Sequence, residues 1–282
     1  AVNKDVKENK AFIAFSKTFR QDGLNVPEIL SVSPDATTYL QTDIGDETLF
    51  SYLKKKRTST VFPLSVIEKY KVVLEELPKF QVFGGKKIDF AQCYPRAAFD
   101  KQSMMWDLNY FKYYFLKLSG IAFDEQLLEN DYEAFTQYLL SERSDYFLYR
   151  DFQSRNIMLK GDEVFFIDYQ GGRKGPLHYD IASLLYDAKA DIPDEIRKEL
   201  LDYYLSQLSM HVEVDKNDFI RKFYAFVLIR IMQAMGAYGY RGFYERKTHF
   251  LQSIPYALKN LQVVHNTGKG KKAAITSGVR AA

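Results

Sequence analysis

Residues 149–172 read YRDFQSRNIMLKGDEVFFIDYQGG, and this stretch decides the fold. Two short β-prone runs, IML and VFFI, lie on either side of a turn signal at Gly161, which predicts a β-hairpin. A hairpin of this length brings Asn156 and Asp168 side by side at its open end. Asp151 precedes Asn156 by five residues and is expected to lie next to them. The stretch therefore predicts a loop and a hairpin, with two carboxylates and one carboxamide converging at the hairpin's open end.

This combination of side chains suits magnesium and phosphate, because Mg²⁺ prefers hard oxygen ligands. Asp168 can supply a full negative charge and Asn156 a neutral oxygen, while the phosphates of a nucleotide complete the coordination. Asp151 is then left to accept the proton of an attacking hydroxyl, as an aspartate does in phosphoryl transfer. The pattern predicts a phosphotransferase. The alternative is a set of ordinary loop carboxylates, since the D-x-x-x-x-N spacing also occurs by chance.

The segments YRDFQSRNIM and FFIDYQ resemble the catalytic and metal-binding segments of the aminoglycoside phosphotransferase/choline kinase-like family, a distant relative of the protein kinases. The resemblance implies an α+β, protein-kinase-like two-lobe fold with a mostly helical C-terminal lobe. It also implies a small-molecule kinase that uses ATP and Mg²⁺. Arg150 and Asp151 take catalytic roles by this resemblance, and Asn156 and Asp168 hold the metal.

A third motif, GPLHYDIASLL at residues 175–185, is similar to another segment of the same family. By that resemblance Asp180 braces the catalytic loop from the start of a helix. A simple helix cap is a compatible alternative, since an aspartate suits the N-terminal end of a helix.

Within the family, the motifs are most similar to those of kinases that phosphorylate N-acetylmuramate and N-acetylglucosamine at the anomeric hydroxyl. The likeness rests on R-D-x-x-x-x-N-[LI]-M, on I-D-Y-Q, on G-P-x-x-Y-D and on the segment RIMQAMG at residues 230–236. It implies that the acceptor is a small hydroxyl compound, an amino sugar or cell-wall sugar. It does not fix which sugar.

Four residues are candidate substrate ligands, each with a structural alternative. Asp107 follows Trp106 on an aromatic-rich helix and could hydrogen-bond sugar hydroxyls, although such a helix often belongs to the core. Arg173, just beyond the metal aspartate, could meet an acidic substrate. Arg230 and Gln233 share one helix face, and a buried structural pair is the alternative for them.

The first part of the chain predicts a helix over residues 8–21, with Phe12, Phe15 and Phe19 on one face, and two strands at 28–32 and 38–41. The family resemblance places Gln41, Thr42 and Asp43 in the hinge that binds the adenine. It places Glu8 where kinases carry the glutamate that steadies a phosphate-binding lysine. The alternative for Glu8 is a solvated surface charge.

The phosphate-covering loop and the basic strand of the family are expected upstream of residue 1, so the N-terminal lobe is expected to be truncated here. Residues 1–43 are accordingly assigned to a remnant of that lobe and the hinge, and 44–265 to the helical lobe with the catalytic loop. Residues 266–282 are assigned to a flexible tail or linker. A sequence that truly began at residue 1 would favour a catalytically inactive nucleotide- or sugar-binding module.

Helical periodicity, capping residues and prolines predict most of the remaining elements. The expected helices cover residues 47–56, 63–77, 103–118, 125–141, 180–188, 194–208, 217–238 and about 250–264. Pro78 is expected to stop the second of them. A protein kinase is a further alternative, disfavoured because no A-P-E segment follows Asp168.

Composition adds bounds to this interpretation. The chain has 282 residues and a net charge of +3, which implies neither nucleic-acid binding nor association with a membrane. The single cysteine, Cys93, cannot form an internal disulfide. No apolar run is long enough to span a bilayer, and residues 4–10 contain too many charges for a signal peptide. A cytoplasmic location is expected.

Overall fold

The computed structural model describes residues 1–59 and 61–266, and it divides into two compact units. Unit 1 comprises Ala1–Ala98 and Ser144–Val214, and unit 2 comprises Phe99–Arg143 with the chain from Asp215 onward. The hairpin and its neighbouring motifs all belong to unit 1. The predicted boundaries at residues 43 and 265 separate lobes by function rather than by compactness, and they stay a prediction.

Nine α-helices of the described residues follow the expected order with shifts at their ends, and a tenth, the short α4, was not predicted. They are α1 (Val6–Gln21), α2 (Leu49–Lys56), α3 (Leu64–Pro78), α4 (Gly85–Lys87), α5 (Lys101–Phe111), α6 (Glu125–Leu140), α7 (His178–Leu185), α8 (Asp194–Leu208), α9 (Lys216–Gly239) and α10 (Ile254–Asn266). Caps explain several starts: Asp5 accepts from two backbone N–H groups of α1, and Thr48 with Ser51 forms a capping box on α2.

The strands form short antiparallel pairs in unit 1. They are β1 (Ile29–Val32) with β2 (Tyr39–Gln41), β3 (Tyr146–Leu148) with β6 (Arg173–Gly175), and β4 (Ile157–Lys160) with β5 (Glu163–Phe166). The β4–β5 pairing runs from Ile157 opposite Phe166 to Lys160 opposite Glu163, so the predicted hairpin is confirmed. The β3–β6 pair was not predicted, because three-residue strands carry too little pattern.

Helix α1 buries its aromatic face against the strands that carry the motifs. Phe12, Phe15 and Phe19 are at most 6% exposed. The Phe19 ring lies 5.2 Å from that of Phe147 in β3 and 5.3 Å from that of Tyr169, both at nearly right angles. Edge-to-face packing of this kind stabilises beyond the area buried. It fixes α1 beside the segment that contains Asp168.

The expected stop at Pro78 is wrong. Helix α3 includes Pro78 and continues as a π-helical turn, Lys79–Gly84. Proline removes one helical hydrogen bond. Here the hydrogen-bond pattern changes from α-helical to π-helical after the proline, and the helix does not end. A second π-turn, Lys112–Leu116, follows α5 within the segment expected to be a single helix.

Unit 2 is built around α9, whose central stretch from Phe223 to Met235 is largely buried. It packs against α5 and α10. The backbones of α9 and the segment after α5 approach so closely that a Cβ at Gly239 would overlap the carbonyl of Tyr114. Lys222 of α9 pairs with Glu142 beyond α6, with Nζ and Oε2 2.7 Å apart.

The chain's last part differs in detail from the prediction. Residues Thr248–Ser253 form a 3₁₀-helix, so α10 begins only at Ile254. The expected tail begins at Asn266, which still ends α10, and its residues 267–282 lie outside the described part of the chain. None of the helices in the described ranges has both the length and the hydropathy needed to cross a bilayer.

Candidate active site

The catalytic loop begins where β3 ends, and its backbone donates hydrogen bonds to a buried carboxylate. Asp180, fully buried in α7, accepts hydrogen bonds from the backbone N–H groups of Tyr149 at 2.8 Å and Arg150 at 3.0 Å. Tyr149 in turn donates from its hydroxyl to the carbonyl oxygen of Ile167 at 2.6 Å. The loop and the segment before Asp168 are therefore tied together, in the arrangement predicted for a brace at Asp180.

Arg150 and Asp168 both adopt a left-handed backbone, with φ of 82° and 70°. Such values are uncommon for non-glycine residues, and they are held only where the surroundings over-determine them. For Arg150 these surroundings include its side chain: Nη1 donates to the hydroxyl of Tyr179 at 2.7 Å, and the guanidinium lies over the same ring. Its contacts are those of a loop-positioning residue.

Asn156 connects the two aspartates at the open end of the hairpin. Its Nδ2 donates to the carbonyl oxygen of Asp151 at 2.9 Å and to Oδ2 of Asp168 at 3.1 Å. Both amide hydrogens are thereby used, and Oδ1 remains as the acceptor of the group. The structure thus brings Asp151, Asn156 and Asp168 together as the sequence predicts.

The electrostatics at this point fit a divalent cation. Burial raises the pKa of Asp168, the charges of Asp151 and Glu8 raise it further, and hydrogen bonds from Gln170 and Asn156 oppose the rise. A cation at the Asp168 and Asn156 oxygens would offset the repulsion among these carboxylates. Within residues 1–59 and 61–266, no group of three or more His, Cys, Asp or Glu side chains could hold a metal alone. Water and phosphate oxygens would complete the coordination, as is usual for Mg²⁺.

Glu8, in α1, is linked to Asp168 through the side-chain amide of Gln170, a residue that the sequence analysis did not single out. Gln170 donates from Nε2 to Oδ1 of Asp168 at 2.8 Å and to Oε1 of Glu8 at 3.3 Å. Asn3 donates from Nδ2 to the other carboxylate oxygen of Glu8 at 2.9 Å. Gln170 stands two residues after Asp168 in the IDYQ motif, and that position was the available signal.

A cavity of about 390 Å³ opens beside this cluster, within unit 1. Its size is that of a small-molecule site. Gln41 contributes a buried Oε1 that has no hydrogen-bond partner in the structure. Aromatic and polar side chains share the lining, which consists of Asn3, Glu8, Asn9, Phe12, Tyr39, Gln41, Asn156, Ile167, Asp168 and Gln170.

Thr42 and Asp43, the other two predicted nucleotide contacts, use their side chains locally. The Thr42 hydroxyl accepts from the backbone N–H of Glu28 at 3.0 Å, and the Asp43 carboxylate accepts from that of Gly45 at 2.8 Å. Neither residue lines the cavity. Their side chains shape the turn after β2, and a contact with nucleotide through their backbone stays a prediction.

The predicted substrate residues have defined surroundings. Arg173 lies in β6, is 6% exposed, and donates from Nε and Nη2 to the carbonyl oxygen of Gly171 at 3.1 and 3.0 Å. In unit 2, Asp107 is 5% exposed on α5. Arg230 donates from Nη1 to Oε1 of Gln233 at 2.6 Å, as the structural alternative expects. The substrate roles of these residues stay predictions.

A larger cavity of about 520 Å³ in unit 1 is lined by Leu24, Phe83, Lys79, Lys86, Lys87, Gln21 and Asp22. None of the motif residues contributes to it. The motif residues Asn156, Ile167, Asp168 and Gln170 line the smaller cavity instead.

Comparison with known proteins agrees with this geometry. A family model described as "Phosphotransferase enzyme family" matches residues 4–215. The N-acetylmuramate/N-acetylglucosamine kinase of Neisseria meningitidis serogroup B is 25% identical over 250 residues, covering 86% of this chain and 71% of the relative.

Solved structures show a similar fold. A choline kinase from Cryptosporidium parvum Iowa II has a TM-score of 0.61 at 14% identity. The match covers 93% of this chain and 79% of the choline kinase chain. An amicoumacin kinase, solved in complex with AMP-PNP and Ca²⁺, has a TM-score of 0.60 at 13% identity. The match covers 97% of this chain and 80% of the amicoumacin kinase chain. The predicted α+β, protein-kinase-like fold is confirmed.

Proposed function

Because this chain belongs to the phosphotransferase enzyme family and is a small-molecule kinase, we propose that it transfers the γ-phosphate of ATP to a hydroxyl of an amino sugar or cell-wall sugar. The observation that carries the proposal is the convergence of Asp151, Asn156 and Asp168, linked through the amide of Asn156. Phosphoryl transfer depends mainly on positioning and on charge neutralisation, and this cluster is suited to both.

Each residue of the cluster has its own part. Asp151 accepts the proton of the attacking hydroxyl. Asp168 and Asn156 hold Mg²⁺, which when bound neutralises charge on the transferring phosphate. Asn156 also bonds the main-chain carbonyl of Asp151 and one carboxylate oxygen of Asp168, and so links the backbone of the catalytic loop to the metal carboxylate.

The nucleotide occupies the cavity between α1, β2 and the hairpin. Tyr39 and Phe12 supply apolar surface there, and their rings lie 5.3 Å apart. The unpartnered Oε1 of Gln41 is an acceptor suited to an amino group of a purine. The AMP-PNP and Ca²⁺ of the amicoumacin kinase support a nucleotide and a divalent cation in this fold.

The acceptor is the finer part of the proposal. The name of the Neisseria relative supports an amino sugar, as do the motifs I-D-Y-Q and G-P-x-x-Y-D. Asp107, Arg230 and Gln233 remain the candidate contacts with sugar hydroxyls, and Arg173 with an acidic group on the sugar. Sugar hydroxyls are recognised by such polar side chains when these are held in fixed orientations.

The test is an ADP-release assay with Mg-ATP and a panel of acceptors. The panel holds N-acetylmuramate, N-acetylglucosamine, choline, gentamicin and buffer alone, and a chain with upstream residues, where these exist, is assayed in parallel. The expected result is ADP release that depends on an amino sugar and is lost in Asp151→Asn. Release with choline or gentamicin alone would overturn the sugar assignment. Nucleotide binding in a thermal-shift titration without transfer to any acceptor would replace the kinase by a binding module.

A further inference from the structure

Gln81 is a fully buried amide outside the motifs, in the π-turn that follows Pro78. Irregular helical turns of this kind are frequent at functional sites. The preceding residue, Phe80, packs its ring edge-on against Tyr149 of the catalytic loop at 5.8 Å and against Phe166 of the hairpin at 4.9 Å. The turn therefore lies directly behind the catalytic loop.

The orientation of the Gln81 amide is set by its neighbours. Nε2 donates to the carbonyl oxygen of Leu177 at 3.1 Å and to Oδ2 of Asp180 at 3.3 Å, and a carbonyl oxygen can only accept. Oε1 therefore faces the hydroxyl of Tyr204, in α8, which donates to it at 2.6 Å.

Asp180 thus accepts a third hydrogen bond beside the two from the catalytic loop. Oδ2 receives the N–H of Tyr149 and the amide of Gln81, and Oδ1 receives the N–H of Arg150. An ionised carboxylate can accept all of these bonds, whereas a protonated one must turn an O–H toward a donor and lose an acceptor site. The geometry of the loop before Asp151 therefore depends on an ionised Asp180.

We propose that Gln81, bonded at its other end to Tyr204, is a positioning residue for phosphoryl transfer, because its amide holds the Asp180 carboxylate aligned on the catalytic loop. The inference rests on the proposed roles of Asp151 and Asp180. Gln81 touches neither substrate nor nucleotide in this arrangement and acts through Asp180 alone.

The charges around Asp180 make such support necessary. Burial raises the pKa of Asp180 to about 7, the charge of Asp151 adds to the rise, and the bonds from Tyr149, Arg150 and Gln81 oppose it. The hydroxyls of Tyr149 and Tyr204 also face Asp180. Both are neutral near pH 7, because burial raises the pKa of each well above its usual range. Gln81 thus adds a side-chain hydrogen bond that opposes protonation of Asp180.

Three variants test the proposal against a matched control. Gln81→Leu removes the amide at nearly constant volume, Tyr204→Phe removes only the hydroxyl bonded to Oε1, and Gln81→Glu keeps the shape but replaces the donor Nε2 by an oxygen. Val82→Ala is the control, because Val82 is equally buried in the same turn and makes no bond to Asp180. The activity of each is measured as kcat and KM for ATP from pH 5.5 to 9, with the acceptor that the wild-type enzyme uses.

For Gln81→Leu we expect kcat to fall by between about tenfold and 100-fold, a range typical of misplacement at a distance. The acidic limb of its kcat–pH profile should move upward by about one pH unit, since a hydrogen bond to the ionised form of Asp180 has been removed. KM for ATP should change little, and Tyr204→Phe should show the same shift in smaller degree. Gln81→Glu should approach wild-type kcat at low pH, where one proton is shared with Asp180, and lose activity as pH rises.

Hydrogen exchange gives a second measurement that does not require turnover. Peptides carrying the amides of Tyr149 and Arg150 should exchange faster in Gln81→Leu and Tyr204→Phe than in Val82→Ala. If kcat, the acid limb and this exchange all match the control, the proposal is overturned. A wild-type enzyme without activity on any acceptor would instead reject the proposed function, and the exchange result would still decide the role of Gln81.

Discussion

Asn156 donates from Nδ2 to Oδ2 of Asp168 at 3.1 Å, across the open end of the hairpin formed by β4 and β5. The bond uses one oxygen of the carboxylate and so directs the other, Oδ1, toward Gln170 and the cavity. A residue of the loop thereby sets the orientation of the proposed metal carboxylate.

Replacing Asn156 by Leu should weaken the response to magnesium. The substitution keeps the volume but removes a metal oxygen and both hydrogen bonds of the amide. Partners of this kind contribute about 10–100-fold to metal affinity or activity. The measurement is the Mg²⁺ concentration that gives half-maximal ADP release. An unchanged Mg²⁺ dependence would remove Asn156 from the metal site.

Replacing Asp151 by Asn should separate binding from chemistry. A general base contributes about 10²–10⁴-fold to the rate, so kcat should fall by that factor. The midpoint of a thermal-shift titration with Mg-ATP should stay near that of the wild type, because Asn can keep the volume and the backbone contacts. A variant with wild-type kcat would show that another group accepts the proton.

Replacing Gln170 by Leu should release Glu8 from Asp168. We expect kcat/KM for ATP to fall by about 10–100-fold, the usual effect of losing a partner that orients a metal carboxylate. Gln137→Leu, which removes an exposed glutamine of α6 that bonds only Glu133, is the control. Equal kinetics of the two variants would mean that the bridge from α1 to Asp168 is dispensable.

Replacing Gly172 by Ala should destabilise the fold. A Cβ at this position would overlap the ring of Phe147 and come within 2.9 Å of the carbonyl oxygen of Tyr169. Overpacking of this kind costs about 1–3 kcal/mol of the free energy of unfolding. The neighbouring Gly171→Ala is a matched control, since its Cβ would lie 3.8 Å from Arg150 and Asp151. Urea unfolding of both variants measures the difference, and equal midpoints would contradict the close packing.

Stability should also fall with pH in a way that depends on Asp180. Its pKa rises from an ordinary value of 3.8 to about 7 in the folded protein, because of burial. The folded state therefore binds the proton more tightly than the unfolded chain. The resulting stabilisation is complete below about pH 3.8, falls as pH rises, and is lost above about pH 7; the whole change is about 4 kcal/mol by the standard conversion.

Asp180→Asn cannot titrate, so this component of the pH dependence should be missing from its unfolding free energy between pH 4 and 7. Urea unfolding at several pH values compares the two proteins. Parallel pH curves would show that Asp180 is not the group responsible. The same variant should lose activity, because Tyr149 and Arg150 bond different oxygens of Asp180, and the NH₂ group of an asparagine would face one of these two N–H donors.

The hairpin and its three polar residues were predictable because they depend on local sequence. Turn chemistry at Gly161 and two β-prone runs determine the pairing of β4 with β5, and that pairing brings Asn156 to Asp168. Gln170 and Glu8 are 162 residues apart in the sequence, and no local sequence pattern predicts their contact. The same holds for Gln81 and Asp180, which are separated by 99 residues.

Arg173 has surroundings that its sequence position did not indicate. Its charge and its position after Asp168 favoured a substrate contact, which stays a prediction, and the structure buries it in β6 with hydrogen bonds to the carbonyl of Gly171. The three-residue strand Arg173–Gly175 reads RKG and contains no apolar side chain, so its sequence could not reveal this burial. The π-turn at Lys79–Gly84 was hidden for a similar reason, since proline usually marks the end of a helix.

The three polar residues that meet at the open end of the hairpin come from one contiguous segment of the chain. Closing this hairpin therefore requires little loop-closure entropy, and contacts of such short range can form early in folding. Opening the hairpin would in turn separate Asn156 from Asp168 in a single local event. We therefore expect loss of magnesium binding on heating or in mild denaturant to precede global unfolding, as an early sign of fraying in unit 1.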